Sequence, residues 1–284
     1  MSDPGKKTND NHVLLQRTLV SVIAIPIVAA AVWFGDPWTT LLTAVWGVGA
    51  AWEFYQIIRK SKGLAPMRTF GLMWVFLFII SPHADRIVFF QKVQVFSLLL
   101  TTAVIVPLII LLWRRGKENA FNNWVWTIGG ILYIGCLLSY YVSLRNLDGG
   151  HGGWVFLALF CTFSSDAFAY LLGRTFGKHK MAPYISPNKS WEGAAAGVVG
   201  SIVVGLLVVH FFQLPLNNWQ SITLGILISI SGQLGDLVKS LFKRNMQVKD
   251  SGHILPGHGG FLDRMDSLAF AGVLVYGLVT LFTL

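Results

Sequence analysis

Charged residues are scarce in this sequence of 284 residues. Asp, Glu, Lys and Arg make up 12% of the chain and hydrophobic residues 54%, whereas about 25% charged residues are usual in a soluble domain. A soluble fold needs more polar surface than this composition supplies. Several apolar stretches also run for roughly 20 residues, the length that crosses a bilayer as a helix. The composition therefore excludes an ordinary soluble domain and indicates an integral membrane protein.

Cysteine is also scarce, since only Cys136 and Cys161 occur and both lie in apolar stretches. Their number and spacing suggest neither a disulfide framework nor a zinc site. We expect both to be small buried hydrophobic residues.

Three further patterns are missing. The glycine-rich segment "GRTFGK" lacks the GxxxxGK[ST] spacing of a P-loop. The sequence has no internal repeat and no pair of matching interrupted helices of the kind that transporters contain. The first apolar segment meets Trp33 and Phe34 where a cleaved signal peptide would have small residues. We expect that segment to remain as a membrane helix.

Nine apolar windows predict nine membrane helices and an all-α, polytopic fold. They are preceded by a polar tail at 1–12, which we expect to be disordered. The window at 69–81 is short for a full crossing. The windows lie at about 15–34, 39–58, 69–81, 94–113, 123–143, 154–173, 193–213, 218–236 and 266–284.

If the nine windows cross the membrane one after another, the connections between them alternate between its two sides. Positive charge is distributed unevenly between these sides. The N-terminal segment and the connections after windows two, four, six and eight hold 19 of the 22 Lys and Arg residues. Positive residues favour the cytoplasmic side, so we predict a cytoplasmic N-terminus and an external C-terminus. The net charge of +9 then lies mostly on the cytoplasmic face, where it suits anionic lipid headgroups or a polyanionic substrate.

A first polar cluster occupies residues 164–193, "SSDAFAYLLGRTFGKHKMAPYISPNKSWEG". Asp166 lies well inside an apolar window and shares a helical face with Tyr170 and Gly173. A carboxylate at that depth marks a functional site, although a structural ion pair with a neighbouring helix is the alternative. Ser190 and Glu192 precede a long apolar helix, where helix-start chemistry explains them equally well.

A second polar cluster occupies residues 232–267. Asp236, Lys239 or Ser240, and Lys243 recur at helical spacing and would form one polar stripe. Asp263 and Asp266 project from one face at the start of the last helix. Together with Asp236 they would make a site for a hard cation, and magnesium prefers a few carboxylates plus water and substrate phosphate oxygens.

Basic residues and glycines accompany these acids. Lys243, Arg244, Lys249 and Arg264 suit phosphate. The run "PGHGG" at 256–260 would let backbone amides approach a ligand. Each feature alone has a simpler explanation: a solvated basic face, acids that favour the helix dipole, and His258 as an ordinary loop residue. In combination they predict metal-assisted phosphoryl chemistry.

We therefore divide the chain into the tail at 1–12, an N-terminal group of membrane helices at 13–150, and a C-terminal region at 151–284. The C-terminal region carries the chemistry in two cytoplasmic loops, at 174–192 and 237–265.

The stretch "SLFKRNMQVKDSGHILPGHGGFLDRMD", residues 240–266, resembles the long signature of the phosphatidate cytidylyltransferases, also called CDP-diacylglycerol synthases. The upstream segments "SDAFAYLLGRTFGKHK", "SPNKSWEG" and "GDLVKS" are also similar to that family. The signature positions are Ser240, Lys243, Arg244, Lys249, Asp250, Pro256, Gly257, His258, Gly259, Gly260, Asp263, Arg264 and Asp266.

The resemblance implies a magnesium-dependent reaction in which CTP and phosphatidate give CDP-diacylglycerol and pyrophosphate. It also implies a homodimer, a second, monovalent cation, and a multi-pass protein of the bacterial inner membrane with its site facing the cytoplasm. We expect no nucleic-acid partner.

Three groups of residues carry these expectations. Asp236, Lys243, Arg244, Asp263 and Arg264 are the predicted catalytic residues. Asp236, Asp263 and Asp266 are the predicted metal ligands. The predicted substrate-binding residues are Asp166, Arg174, Lys189, Ser190, Glu192, Ser240, Lys249, His258, Gly259 and Gly260.

Other classes of membrane protein explain fewer of these residues. An ion-coupled transporter that uses intramembrane acids would explain Asp166 and Asp236 but not the dense loop chemistry. A CDP-alcohol phosphotransferase would carry a D-G-x2-A-R spacing, which is missing. A membrane scaffold with a basic face leaves Asp236, Asp263 and Asp266 unexplained.

Overall fold

Long helices dominate the fold. The computed structural model describes residues 22–86, 94–113, 118–147, 150–248, 251–252 and 259–283, and within these ranges it contains nine helices. They are α1 (Val22–Phe34), α2 (Trp38–Lys62), α3 (Arg68–Ile80), α4 (Val95–Trp113), α5 (Ala120–Asn146), α6 (Gly153–Phe176), α7 (Trp191–Phe211), α8 (Asn218–Asn245) and α9 (Leu262–Thr283). Each of the nine apolar windows overlaps one of these helices, although residues 15–21 of the first window and the tail at 1–12 lie outside the described ranges.

Seven of the described helices are long and apolar enough to cross a membrane. The two others are α1 and α3, and α3 continues into a short 3-10 helix at Ser81–Arg86. Large apolar side chains such as Leu41, Val104 and Leu207 are exposed along the helices. A helix satisfies its backbone hydrogen bonds internally, so such surfaces suit contact with lipid. The protein is thus a helical multi-pass membrane protein, while nine full crossings and the orientation of the termini remain predictions.

A small antiparallel β-hairpin interrupts the helical pattern. Strands β1 (Lys180–Ala182) and β2 (Ser186–Ser190) pair between α6 and α7. The all-α prediction did not include them, because the segment has no alternation of apolar and polar residues that would indicate strands. The hairpin lies within the first predicted polar loop and brings Lys189 to its end.

Helices α6 and α7 approach each other closely through glycines of α7. A Cβ atom on Gly193 would lie 2.8 Å from the carbonyl oxygen of Ala169, and one on Gly197 would lie 2.9 Å from that of Ser165. Small residues at such positions let two membrane helices pack backbone to backbone. This contact fixes the β-hairpin and the start of α7 against the end of α6.

Two tyrosines connect the N-terminal helices to one another and to the C-terminal region. The buried Tyr55 of α2 donates a hydrogen bond to the carbonyl of Thr127 in α5, at 2.8 Å. Tyr141 of α5 donates to the carbonyl of Leu268 in α9, at 2.9 Å. The two halves of the sequence therefore share one core, in which Cys161 is buried, whereas Cys136 is half-buried against a separate cluster of Phe78, Ala103 and Ile131; both are free thiols.

Helix α8 extends to Asn245, beyond the predicted end at 236. Its last turns carry the polar stripe of Asp236, Lys239 and Lys243, which a search for hydrophobic windows cuts off. The helical spacing of the stripe correctly predicted that it continues this helix, whereas the predicted start of the loop at 237 was wrong because Lys239 and Lys243 lie on α8. Lys243 and Arg244 in the last turn also favour the negative end of the helix dipole.

Candidate active site

A cavity of about 460 Å³ lies between α6, β2, α8 and the start of α9. Its polar lining comes from four separate parts of the chain, at the side where α6 and α8 end and α7 and α9 begin. Seven of the lining residues are predicted site residues: Asp166, Lys189, Ser190, Asp236, Asp263, Arg264 and Asp266. The helices thus collect charges from both predicted polar clusters into one place.

Lys239 is at the centre of the ionic contacts. Its Nζ lies 2.9 Å from Asp236 Oδ1 and 2.7 Å from Asp266 Oδ2, and it also donates to the carbonyl oxygen of Asp263 at 3.0 Å. Three oxygens therefore surround this one ammonium group. Because Asp266 is 2% exposed, its charge depends on this partner.

Lys189 completes the network from the β-hairpin. Its Nζ lies 2.7 Å from Asp236 Oδ2 and donates to the carbonyl of Gln233 at 3.1 Å. Both oxygens of Asp236 are therefore paired with lysines. Asp166 and Arg264 line the same cavity.

Asp263 is placed differently from the other two predicted metal ligands. Its Oδ1 accepts a hydrogen bond from Lys243 Nζ at 2.9 Å. Its Oδ2 accepts from the backbone N–H of Ser251 at 3.0 Å, the Ser251 hydroxyl at 2.7 Å and the backbone N–H of Gly260 at 3.3 Å. Asp263 therefore ties the segment before α9 to the end of α8.

Several predicted substrate-binding residues have structural partners. Ser190 is the N-cap of α7, and its Oγ accepts from the Gly193 backbone N–H at 3.2 Å. Glu192 accepts from both the backbone N–H and the Nδ1 of His179, at 3.1 and 2.6 Å. The helix-start explanation of Ser190 and Glu192 thus has direct geometric support.

Arg174, Arg244, Gly259 and Gly260 lie around the cavity rather than in its lining. Arg174 donates to the hydroxyl of Tyr170 at 3.3 Å, and Arg244 donates to the carbonyl of Ile185 at 3.4 Å. The backbone N–H of Gly260 points to Asp263 instead of an open site. Gly259, with a φ of +83° that favours glycine, lies beside it.

Ser240 is half-buried on α8, next to Lys239. Lys249 and His258 lie outside the residues that the structure describes, as do Asp250, Pro256 and Gly257. Their predicted roles remain predictions.

The carboxylates fit a metal ion in part. In the described ranges no three His, Cys, Asp or Glu residues form a group that could hold a metal ion. The predicted cluster of Asp236, Asp263 and Asp266 is thus not assembled, because Asp263 is engaged by Lys243, Ser251 and Gly260. Asp236 and Asp266 do converge on one cation, the Lys239 ammonium. A pair of carboxylates suits magnesium when substrate phosphates supply further ligands.

Sequence reasoning placed Lys239 in a polar stripe but not among the predicted site residues, and it missed two further residues around this site. Gln233 of α8 lines the cavity and donates from its Nε2 to the carbonyl of Ala194 at 3.2 Å and to the Ser229 hydroxyl at 2.9 Å. Glu53 of α2 is buried against the segment that precedes α9. The rule that intramembrane acids mark functional sites would have found Glu53, since it lies in the apolar window at 39–58.

The formal charges in the cavity nearly cancel. The lining contains four carboxylates, on Asp166, Asp236, Asp263 and Asp266, and three cationic groups, on Lys189, Lys239 and Arg264. A ligand that brings several negative charges would therefore need an additional cation, because the resident lysines already have carboxylate partners. The arrangement suits electrostatic stabilisation of phosphate groups at the end of membrane helices.

Comparisons with known proteins agree with this chemistry. The sequence model of the cytidylyltransferase family matches residues 15–282. A phosphatidate cytidylyltransferase of Bacillus subtilis is 34% identical over 94% of this chain and 98% of its own length. Those of Staphylococcus haemolyticus and Brucella abortus are 33% and 32% identical, over 89% and 93% of this chain and 94% and 92% of their own lengths. With a match over nearly its whole length and a charged cavity suited to phosphates, this chain belongs to the cytidylyltransferase family.

Proposed function

We propose that this protein transfers the cytidylyl group of CTP to phosphatidate and releases CDP-diacylglycerol and pyrophosphate. The observation that carries the proposal is the cavity of lysines and carboxylates at the ends of membrane helices, where a water-soluble nucleotide can meet a lipid headgroup. The relatives named phosphatidate cytidylyltransferase support the same substrates, because they align with this chain over most of their length.

The chemistry is a single displacement at phosphorus. An oxygen of the phosphatidate phosphate attacks the α-phosphorus of CTP and forms the new P–O–P bond. The bond between the α-phosphorus and the oxygen that bridges to the β-phosphate breaks, and pyrophosphate leaves with that electron pair. A phosphate monoester is already anionic near neutral pH, so little general-base assistance is needed. The main obstacle is bringing two polyanions together.

The two lysines and the arginine of the cavity are suited to bringing two polyanions together. Lys189 and Lys239 are each held by Asp236, so their ammonium groups are oriented before a substrate arrives. Arg264 lines the same cavity and can bind phosphate oxygens in a bidentate manner. Such preorganised charges stabilise developing negative charge without reorganising at the moment of reaction.

We further propose that magnesium acts at this site, held by Asp236 and Asp266 together with substrate phosphates. It would supply the extra positive charge that the nearly neutral cavity lacks. Asp263, predicted from the sequence as a third ligand, is assigned here to holding the segment before α9. The second, monovalent cation and the homodimer remain expectations from the family resemblance.

We also propose that the cavity faces the cytoplasm in a bacterial inner membrane, with the N-terminus on the same side. Support comes from the 19 of 22 Lys and Arg residues assigned to that side. Lys189, Lys239, Lys243 and Arg264, which surround the candidate site, belong to this set.

Turnover of purified protein in detergent tests the reaction. With CTP, phosphatidate and magnesium, we expect CDP-diacylglycerol and pyrophosphate in equal amounts. Diacylglycerol, which lacks the nucleophilic phosphate, should give neither product. A chiral α-thio-substituted CTP should show inversion at phosphorus, and retention would instead require a covalent nucleotidyl-enzyme intermediate.

A further inference from the structure

Glu53 is a buried acid in the N-terminal half of the chain, far in sequence from the second polar cluster. It lies in the middle of α2 and is 1% exposed. Its Oε2 accepts a hydrogen bond from the backbone N–H of Leu262 at 3.0 Å and lies 3.4 Å from the Ser251 hydroxyl. The side chain therefore reaches out of α2 to the segment that leads into α9.

The first turn of α9 depends on this contact. The first backbone N–H groups of a helix have no partner within the helix, and Leu262 is the first residue of α9. Glu53 supplies the missing acceptor from another helix, and its negative charge favours the positive end of the helix dipole. The Glu53 side chain thus caps the N-terminus of α9 from a different helix, α2.

Two signature-region glycines make room for the carboxylate. A Cβ atom on Gly252 would overlap Glu53 Oε1, and one on Gly260 would overlap Glu53 Oε2. The glycines on either side of the 253–258 segment are therefore in close contact with the same side chain. Their lack of a side chain is explained by Glu53 rather than by a ligand.

Ser251, Gly260 and Leu262, which lie close to Glu53, are also connected to the cavity. Ser251 and Gly260 donate hydrogen bonds to Asp263, which also pairs with Lys243. One helical turn after the Leu262 N–H, Asp266 reaches Lys239 in the cavity. A shift at the start of α9 would therefore move the carboxylates on which the ionic network depends.

Other contacts hold α2 against this region. Trp46 Nε1 donates to the carbonyl of Phe261 at 3.2 Å, and Ser61 Oγ donates to the carbonyl of Met246 at 2.6 Å. Phe54 stacks on Phe242 of α8 at 5.1 Å between ring centroids. Glu53 lies between these anchors, so its position is fixed from both ends of α2.

We propose that Glu53 is a positioning residue for the cytidylyl transfer: its carboxylate caps α9 and holds the segment around Ser251 and Gly260 so that Asp263 and Asp266 are correctly placed. This inference rests on the proposed function for its effect on turnover. The hydrogen-bond role itself does not depend on that function.

Two substitutions separate the acceptor from the volume of the side chain. Glu53→Gln keeps a carbonyl oxygen that can accept from Leu262, whereas Glu53→Leu keeps similar bulk without an acceptor. Ile58→Val is the matched control, because Ile58 is fully buried on the same helix and has no polar role. Circular dichroism and thermal unfolding in detergent identify any variant that fails to fold.

Hydrogen exchange measured by mass spectrometry tests the cap without substrate. We expect the peptide covering 259–268 to exchange faster in Glu53→Leu than in the wild type. Glu53→Gln and Ile58→Val should leave it protected. Unchanged protection in Glu53→Leu would overturn the cap, whatever reaction the protein catalyses.

Kinetics then test the positioning role. The free energy of a hydrogen bond to a buried charged group corresponds to a factor of about ten or more in a rate or equilibrium constant. We therefore expect kcat to fall by about tenfold or more in Glu53→Leu. The KM for CTP should stay within about twofold of the wild-type value. Glu53→Gln should retain most of the turnover. Wild-type kcat in a folded Glu53→Leu protein, or an equal loss in Ile58→Val, would overturn the proposal. Absence of CDP-diacylglycerol formation by the wild type would instead contradict the proposed function.

Discussion

Lys239 is the residue on which the charge balance of the cavity depends most. It is 14% exposed at its side chain and contacts two carboxylates, one of them on Asp266, which is itself almost fully buried. The shared ammonium stabilises both carboxylates. Asp236 also binds Lys189, whereas among the described residues Lys239 is the one ion-pair partner of Asp266. Removing the ammonium leaves buried negative charge uncompensated.

Lys239→Met should therefore destabilise the protein more than Lys243→Met, since Lys243 pairs with only one carboxylate. Breaking a buried ion pair costs about 3–5 kcal/mol, which should appear as a clear drop in the thermal unfolding midpoint in detergent. The double variant Lys239→Met/Asp266→Asn should lose less stability than the sum of the single variants. Strict additivity would show that the two side chains do not interact.

The three acids of the second cluster should respond differently to magnesium. Asp236→Asn and Asp266→Asn should raise the magnesium concentration needed for half-maximal turnover and lower the maximal rate by orders of magnitude, as expected for ligands of a metal in phosphoryl transfer. Asp263→Asn should lower the rate without shifting the magnesium requirement, because the partners of Asp263 are Lys243 and Ser251. A shift for Asp263→Asn as large as for Asp266→Asn would restore Asp263 to the metal site.

At the scale of elements, the β-hairpin and the start of α7 form a small rigid support. Ser190 caps α7 while its neighbour Lys189 reaches Asp236. Glu192 holds the other side of the loop through His179. The hairpin thus places a lysine in the cavity through a helix cap that need not touch the substrate.

Ser190→Ala tests whether Ser190 stabilises the helix while Lys189 acts in the cavity. Loss of an N-cap costs about 1 kcal/mol, so the thermal midpoint should fall while the KM for CTP stays within about twofold of the wild-type value. Ser190→Thr, which keeps the hydroxyl, is the control and should retain both properties. A large rise in KM with an unchanged midpoint would show that Ser190 binds substrate.

Helices could be predicted from the sequence where a long run of apolar residues specifies them. The windows at 39–58 and 154–173 correspond to Trp38–Lys62 and Gly153–Phe176, because an apolar run of that length has few alternatives to a membrane helix. The end of α8 and the β-hairpin could not be located in this way. Asp236, Lys239 and Lys243 lower the local hydropathy although their spacing is helical, and "HKMAPYISPNKS" forms strands through tertiary contacts rather than through its own pattern.

At the scale of the whole molecule, the N-terminal helices support a site made mainly by the C-terminal region. Tyr141 holds α9 through Leu268, and α2 contacts Met246, just after α8, through Ser61 and Leu262, at the start of α9, through Glu53. The sequence predicted which residues carry the charges, because lysines and carboxylates stand out in an apolar chain. It could not predict that Lys239 would join Asp236 to Asp266, or that Asp263 would bind Ser251, because those pairings depend on how the helices pack.

The orientation of the molecule can be tested by labelling single cysteines. Tyr184 in the hairpin and Pro215 between α7 and α8 are both exposed and lie at opposite ends of α7. In a background with Cys136 and Cys161 replaced by Ser, a membrane-impermeant thiol reagent should label Pro215→Cys in intact cells and Tyr184→Cys only after lysis. The reverse pattern would place the cavity outside the cytoplasm.

Transfer of labelled cytidine from CTP into lipid tests the central claim most directly. With purified protein, phosphatidate and magnesium, the wild type and a Tyr184→Ala control should form labelled CDP-diacylglycerol. Chelation with EDTA should abolish the product, and a folded Asp266→Asn protein should form it orders of magnitude more slowly. A folded wild-type protein that labels no lipid, or an Asp266→Asn variant that turns over at the wild-type rate, would contradict cytidylyl transfer in this cavity.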